Sequence, residues 1–154
     1  MRVTVHQPEY MPWLGFFHKM AMVDVYVILD NVQYRHKYFQ NRNKIRTTSG
    51  ETWLNVPILI KSKRFQLIKD IEINNLDRRW RNKNWMSLYL NYKKSPYFSR
   101  YADYFNNLYS KEWQSLSSLN IEIIRNISTF LGIKTKIMVA SELRIGGRGE
   151  KLIL

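Results

Sequence analysis

The sequence contains no cysteine. This absence excludes disulfide bonds, thiolate metal sites and a cysteine nucleophile, and it is typical of a reducing compartment. No run approaches the roughly 18 apolar residues of a membrane span, and the N-terminus enters a predicted strand without the apolar stretch of a signal peptide. We therefore expect a cytoplasmic protein without a membrane span.

Several common catalytic and nucleotide-binding motifs are also missing. The glycine-rich segment 145–151 lacks the Gly-Lys-Ser/Thr ending of a phosphate-binding P-loop, and no convincing dinucleotide fingerprint is present. The sequence has neither a His-Glu-x-x-His zinc pattern nor a Gly-x-Ser-x-Gly nucleophile elbow. We therefore assign no residue to a metal site, and the sequence leaves open whether the protein needs a nucleotide or Mg²⁺.

The most unusual property of the composition is its positive charge. Lys and Arg number 25 against 12 Asp and Glu, which gives a net charge of +13 over 154 residues. Such an excess attracts nucleic acid, nucleotides, phosphosugars or an anionic membrane face. The alternative is a surface whose charge only keeps the protein in solution.

The first 30 residues have the pattern of a β–α–β unit. Arg2 to Val5 is a short β-rich run, and Pro12 stands where a helix would begin. Apolar residues from Trp13 to Ala21 then fall on one helical face. The continuous apolar run Val25 to Leu29 is typical of a strand buried on both faces of a parallel sheet.

The rest of the chain predicts further strands and a helical stretch. Residues 31–50 are polar and basic, and Ser49-Gly50 is a turn signal. The predicted strands are Thr52 to Ile60, where Pro57 implies an edge strand or a bulge, then Ile68 to Ile73, and finally Lys134 to Ala140. The predicted helices are a segment from Asp77 to Ser95, Tyr97 to Tyr109, and Leu116 to Leu131. After a glycine loop, Lys151 to Leu154 is predicted as the start of a helix or a strand.

Together these elements predict a single α/β domain over residues 1–154. We expect three layers around a mostly parallel sheet, with the β–α–β unit at the N-terminus. A helical segment at about 78–131 is inserted before the last strand.

The first candidate site is the turn from His6 to Pro12, which leaves strand one and enters helix one. Ligands of open α/β sheets lie outside the carboxyl ends of the strands, and the start of a helix favours an anion. His6 is a candidate catalytic residue, as acid, base or phosphate ligand. Gln7 and Tyr10 are candidate ligand-binding residues; the alternative is that His6 and Gln7 only satisfy backbone groups of the turn.

Helix one adds His18 and Lys19. His18 lies at the border of the apolar face, and a position near His6 would make it a catalytic candidate. Lys19 is a candidate phosphate ligand. The alternative for His18 is a packed or solvated side chain.

The second polar segment, residues 30–46, begins at the carboxyl end of strand two. Asp30 is a candidate for pairing with a sugar hydroxyl, an amine or Mg²⁺, and it is the third candidate catalytic residue. The candidate ligand-binding residues here are Gln33, Tyr34, Asn41, Arg42 and Asn43. The interleaved basic and aromatic residues also resemble a strip that contacts RNA, and a solvated loop is the remaining alternative.

Residues 77–85 combine tryptophans with several charges. We expect Trp80 and Trp85 to pack inward and the charged residues to form a solvated helix face.

At these residues the chain resembles the WbqC-like family. The motif residues occur in this order: His6-Gln7-Pro8, Tyr10, Pro12-Trp13, Gly15, Phe17-His18-Lys19, Asp24, Asp30, Val32-Gln33-Tyr34, Phe39-Gln40-Asn41-Arg42-Asn43, Trp53-Leu54 and Val56-Pro57. The likeness continues to Ser141-Glu142-Leu143, and we expect the chain to be short at its C-terminus relative to the usual family length. The resemblance implies a role in the synthesis of bacterial or archaeal surface polysaccharide or lipopolysaccharide. The β–His-Gln-Pro–α layout is also similar to the nucleotidyltransferase-like HUP domains, a fold-level analogy.

Two functions of different classes follow. One is a transferase for a sugar, acyl or nucleotidyl group that binds a phosphorylated or nucleotide-activated small molecule, with His6, Lys19, Asp30 and Arg42 at its site. The other is a non-catalytic basic module that binds RNA or an anionic glycan. We favour the transferase and regard nucleic acid as the less favoured partner; the oligomeric state is left open.

Overall fold

The computed structural model describes residues 1–60 and 66–143. The described elements follow the chain in this order: β1 (Val3–His6), α1 (Leu14–Ala21), β2 (Val25–Ile28), β3 (Arg42–Thr47), β4 (Gly50–Asn55), β5 (Ile58–Leu59), a 3₁₀ turn (Ile68–Asp70), β6 (Glu72–Ile73), α2 (Arg79–Tyr92), α3 (Ser99–Ser110), α4 (Leu116–Phe130) and β7 (Lys136–Val139). The predictions for the glycine loop and for 151–154 concern residues outside the described ones.

A three-stranded parallel sheet forms the base of the candidate site. Its strand order is β1-β2-β7, so that the central strand is the continuous apolar run of the sequence. His6, Ile28 and Val139 lie level with one another at the carboxyl ends of the strands. The predicted β–α–β unit and the mainly parallel pairing are therefore confirmed.

The helices that pack on this sheet share one of its faces. Tyr26 and Ile28 are fully buried and point to the same side, because side chains two residues apart in a strand share a face. They form one core cluster with Phe16 and Phe17 of α1 and with Ile124 of α4. Within the described residues, the structure thus shows a sheet layer and a helix layer, and the predicted third layer is not observed.

The polar and basic segment 31–50 contains a strand that the sequence did not predict. Arg42–Thr47 pairs antiparallel with Gly50–Asn55, from Arg42 opposite Asn55 to Thr47 opposite Gly50. The turn signal at Ser49-Gly50 lies at the tip of this hairpin. Only Ile45 interrupts the polar run in β3, so an apolar alternation was not visible in the sequence.

Two other strand predictions need correction. The run Thr52 to Ile60 divides into β4 and β5 at Val56-Pro57, because proline cannot continue a paired strand. Ile68 to Ile73 forms a 3₁₀ turn followed by the two-residue strand β6. Its buried isoleucines Ile68, Ile71 and Ile73 fit this irregular path as well as they fit an alternating strand.

The three helices predicted between 78 and 131 are present as α2, α3 and α4. These helices and the inner face of the β3–β4 hairpin enclose a second core cluster. Leu54 of the hairpin and Tyr10, which precedes α1, are fully buried in it. Helix α4 joins the clusters, since Ile123 lies in this one and Ile124 in the cluster beneath the sheet. The hairpin and the sheet edge are therefore held against one common helix.

None of the helices within residues 1–60 and 66–143 has the length and apolar character that crossing a lipid bilayer requires.

Candidate functional site at the edge of the parallel sheet

Polar side chains follow all three parallel strands at their carboxyl ends. His6 ends β1, Asp30 lies two residues beyond β2, and Ser141 lies two residues beyond β7. The backbone N–H of Leu29 donates to the His6 carbonyl at 2.8 Å, so β1 and the loop after β2 stay joined past the strands. This is the edge at which open α/β sheets bind ligands.

His6 has a defined ring orientation. Its Nδ1 lies 2.9 Å from the carbonyl oxygen of Gln7, and its ring packs edge-on against Phe16 with 5.0 Å between centroids. A nitrogen facing a carbonyl must carry the proton, so the neutral ring presents Nε2 as an acceptor. His6 can therefore accept a proton at Nε2, or donate one to a phosphate oxygen when charged.

Glu9 is a candidate that sequence reasoning missed. Its side chain is 3% exposed, and its carboxyl receives no hydrogen bond from the described residues. Burial raises the pKa of Glu9, and the nearby His6 acts in the opposite direction. A buried carboxyl with a perturbed pKa in a ligand-binding edge is typical of a functional site; the signal available in the sequence was an acidic residue inside the His6–Pro12 motif.

The hydroxyl of Tyr26 lies near Glu9 and is also unpartnered. It is buried and makes no hydrogen bond among the described residues. Burial raises the pKa of Tyr26, and the negative charge of Glu9 raises it further. The edge thus contains a buried phenol that lacks the partner expected of a buried polar group, close to a carboxyl whose pKa is raised by burial.

Asp30 joins the loops that follow β2 and β7. It is 3% exposed, and its two oxygens accept hydrogen bonds from the Ser141 backbone N–H at 2.9 Å and the Ser141 hydroxyl at 2.5 Å. Its observed role is to hold the sheet edge together. The predicted catalytic role of Asp30 stays a prediction.

The two candidates of α1 differ in placement. Lys19 donates from Nζ to the carbonyl oxygen of Val5 at 2.9 Å, which brings its charge to the end of β1. His18 is exposed and makes no hydrogen bond or ring contact with His6 among the described residues. Its predicted proximity to His6 is therefore not supported by a contact.

The two predicted polar segments lie against each other. Gln40, which is fully buried, donates to the side-chain oxygen of Gln7 at 2.7 Å. The N–H of Tyr10 donates to the Phe39 carbonyl at 2.9 Å, and Asn120 donates to the Gln40 carbonyl at 2.7 Å. Gln40 and Asn120 are the residues that connect the site, and sequence reasoning did not select either one.

The turn before α1 is held in an unusual conformation. Met11 has a φ of 49°, in the left-handed region that costs a residue with a side chain about 1–2 kcal/mol. Asn43 donates to the carbonyl oxygens of Met11 at 2.7 Å and Tyr10 at 3.2 Å. The amide hydrogens of Asn43, predicted to bind a ligand, thus stabilise this turn.

Tyr10 is part of the core. Its side chain is fully buried, and its hydroxyl lies 2.5 Å from the Tyr109 hydroxyl and accepts a bond of 3.0 Å from Asn84. A fully buried phenol does not face solvent, so ligand contact through this hydroxyl stays a prediction.

The remaining candidate ligand-binding residues lie in the segment that leads into the β3–β4 hairpin or at its first residue. The Tyr34 hydroxyl donates to Asn41 at 2.9 Å, and Asn41 donates to the Val56 carbonyl at 3.0 Å. Gln33 is exposed. Arg42 lies on the outer hairpin face, with its guanidinium 4.5 Å above the ring of Trp53.

Within the described ranges, no cluster of three or more His, Asp or Glu side chains has an arrangement that could hold a metal ion.

This fold and this edge define an α/β protein with a polar candidate site where β1, β2 and β7 end. The chain belongs to the WbqC-like protein family, whose model matches residues 7–154. The resemblance carried by the sequence motifs is thereby confirmed.

The chain is 33% identical over 153 residues to the uncharacterized protein Rv1507c of Mycobacterium tuberculosis. The match covers 98% of this chain and 65% of that relative, so the chain spans slightly less than two thirds of its length. No solved structure matches the chain.

Proposed function

We propose that the chain carries the phosphate-handling site of a transferase in surface-polysaccharide or lipopolysaccharide biosynthesis. The donor is a nucleotide-activated or otherwise phosphorylated small molecule, bound at the edge where β1, β2 and β7 end. The observation that supports this most directly is the pair of His6, whose ring is oriented by the Gln7 carbonyl, and the buried carboxyl of Glu9. Family membership and the HUP-like layout, an analogy, support the same proposal.

The proposed step uses groups that already have defined positions. An acceptor hydroxyl attacks the transferred group and gives its proton to Nε2 of His6. The bond between the transferred group and the donor phosphate breaks, and the phosphate leaves with the electron pair. Lys19, fixed at the end of β1, neutralises the charge that develops there.

The remaining residues hold and shape this site in the proposal. Glu9 stabilises the imidazolium that forms on His6, because a nearby negative charge favours the protonated ring. Asp30 keeps the loops after β2 and β7 together through Ser141. Arg42 acts at the outer hairpin face and not at the transferred group.

A thermal-shift screen with nucleotides and nucleotide-sugars, each with and without Mg²⁺, tests the proposal. A ligand that binds only the folded state raises the Tm, and we expect such a hit to vanish in His6→Ala. His36→Ala is the matched control, because His36 is exposed in the segment before the hairpin. Equal ligand-induced shifts in both variants would place the site elsewhere.

One observation favours the second candidate, a non-catalytic module for RNA or an anionic glycan. Arg42, Lys44 and Arg46 alternate along β3 and therefore share the outer hairpin face. Binding carried by this face should weaken steeply between about 50 and 200 mM salt. Filter binding of a short RNA to the wild type and to an Arg46→Gln variant measures this, and an affinity independent of salt would exclude it.

A further inference from the structure

A cleft lies between strand β4 and the start of helix α2. The cleft has a volume of about 460 Å³. One wall is formed by Trp53 and Asn55 of β4. The other is formed by the beginning of α2 and the residues just before it, which include Asp77, Trp80, Lys83 and Asn84. Its volume falls in the range of small-molecule sites, about 300–1,000 Å³. None of these residues belongs to the proposed transferase site.

An indole ring forms one wall of the cleft. Trp53 is 37% exposed, which is high for so large an apolar side chain at a concave surface. Trp53 lies on the outer hairpin face, where the guanidinium of Arg42 at 4.5 Å and the ammonium of Lys44 at 5.0 Å lie over its ring and the Phe39 ring stacks on it at 6.3 Å. These contacts fix the ring, and its exposed part gives the cleft an apolar surface in a positively charged setting.

Two buried side chains also line the cleft. Trp80 is 5% exposed and packs edge-on against Tyr109, with 6.2 Å between ring centroids, so its ring forms an apolar part of the cleft wall. Asn84 is 2% exposed, and its amide donates to the Tyr10 hydroxyl and to the Asn55 carbonyl, each at 3.0 Å. The orientation of Asn84 is thus fixed, with its side-chain oxygen left as an acceptor.

The charges of the cleft do not balance. Asp77 accepts from the guanidinium of Arg79 at 3.1 Å, so these two residues form an ion pair. Lys83 has no carboxylate partner among the described residues. The cleft therefore contains one cation whose charge is not compensated nearby.

We propose that this cleft binds a sugar ring that carries one acidic group. The apolar face of the sugar ring lies on the exposed part of Trp53, and its hydroxyls donate hydrogen bonds to the side-chain oxygens of Asn84 and Asp77. The acidic group, a phosphate or a carboxylate, pairs with Lys83. The proposal does not rest on the transferase site.

Ligand-observed NMR titration of the whole chain tests it with five probes: glucuronic acid, glucose 6-phosphate, glucose, inorganic phosphate and a short oligouridylate. We expect both acidic sugars to bind more tightly than glucose and more tightly than inorganic phosphate. The stronger of the two acidic sugars identifies the acid as a carboxylate or a phosphate. Phosphate binding as tightly as glucose 6-phosphate, or the oligouridylate alone binding, would overturn the proposal.

Two variants separate the contribution of the ring from that of the charge. Trp53→Ala should weaken every sugar about tenfold, which corresponds to about 1.4 kcal/mol. Lys83→Gln should leave glucose unchanged and bring the ratio of acidic to neutral sugar close to one. Both side chains are partly or largely exposed, and unchanged melting temperatures verify that the variants fold.

Lys93→Gln, at the other end of α2, is the matched control and should keep the wild-type ratio. His6→Ala should keep sugar binding in the cleft even if it removes the nucleotide response at the sheet edge. Loss of sugar binding in His6→Ala, or its persistence in both cleft variants, would contradict the assignment of the ligand to this cleft.

Discussion

At the scale of single residues, Glu9 is unfavourable for folding but useful for the proposed chemistry. Burial of a carboxyl disfavours its charged form, and no hydrogen bond from the described residues compensates Glu9. A residue that served only the fold would be expected to be neutral here. Its retention as an acid is consistent with the proposed support of His6.

Glu9→Gln should therefore stabilise the protein at neutral pH and lower transfer activity. The pKa of Glu9 is raised in the folded state, so the wild type is most stable below the unfolded pKa of about 4.5 and loses stability as the pH rises through the folded pKa. Glutamine does not titrate. Urea unfolding at pH 4 and pH 7 should show the variant gaining on the wild type at the higher pH; an equal difference at both values would contradict a buried, perturbed carboxyl.

Residue types predicted the position of the site better than the role of each member. His6, Gln7 and Asp30 follow from strand ends, which a local pattern shows. Tyr10 and Asn43 occur in the same motif, yet the structure uses them to hold the core and the Met11 turn. Their partners, Tyr109, Asn84 and the backbone of the turn, are distant in sequence, so no local pattern distinguishes such residues from ligand-binding ones.

At the scale of elements, α4 determines how the sheet edge and the hairpin fit together. It contributes to both core clusters, and its Asn120 bonds the Gln40 carbonyl beside the site. Elements with strong apolar periodicity, such as α4 and β2, were predictable from sequence. Strand β3 was not, because its outer face is cationic and its inner face contains Asn43 and Thr47 beside one isoleucine.

The start of α4 offers a test of this role. The Ser115 hydroxyl accepts the N–H of Ser118 at 3.3 Å and caps the helix. Ser115→Ala should cost about 0.5–1 kcal/mol in the free energy of unfolding, at the lower end for a cap because the bond is long. Chemical denaturation measures it. Ser118→Ala, which keeps the capping N–H and places alanine in a helix, is the control, and an equal loss in both variants would mean that the cap contributes nothing.

At the scale of the whole molecule, the positive charge and the cleft beside α2 are only partly predictable from the sequence. The net charge of +13 predicts anionic partners without locating them. The cleft between β4 and α2 brings Trp53 next to Lys83, across thirty positions of sequence. Within residues 77–85, tryptophan was expected to pack inward and the charged residues to form a solvated face. Trp80 is buried, Arg79 and Lys83 are exposed and Asp77 is partly exposed, and these three charged residues also line the cleft because the hairpin packs beside them.

The buried tyrosines should make the whole protein less stable at alkaline pH. Burial raises the pKa values of Tyr10, Tyr26 and Tyr109, with the Tyr10–Tyr109 pair fully inside the core. A raised tyrosine pKa leaves stability intact below the unfolded value of about 10, and stability is lost as the pH rises from there through the folded value. We expect unfolding free energies that are nearly level at neutral pH and fall steeply above pH 10.

Tyr109→Phe shows whether the core pair causes this fall. The variant should lose about 1 kcal/mol at pH 7, because Tyr10 keeps its bond from Asn84 and loses only one partner. Above pH 10 its stability should decline less steeply, by up to about 1.4 kcal/mol per pH unit, since one fewer buried phenol has to ionise on unfolding. Denaturation series from pH 7 to 11 on the wild type, Tyr109→Phe and the exposed control Tyr97→Phe measure the slopes. Identical slopes in all three proteins would show that alkaline unfolding starts elsewhere in the molecule.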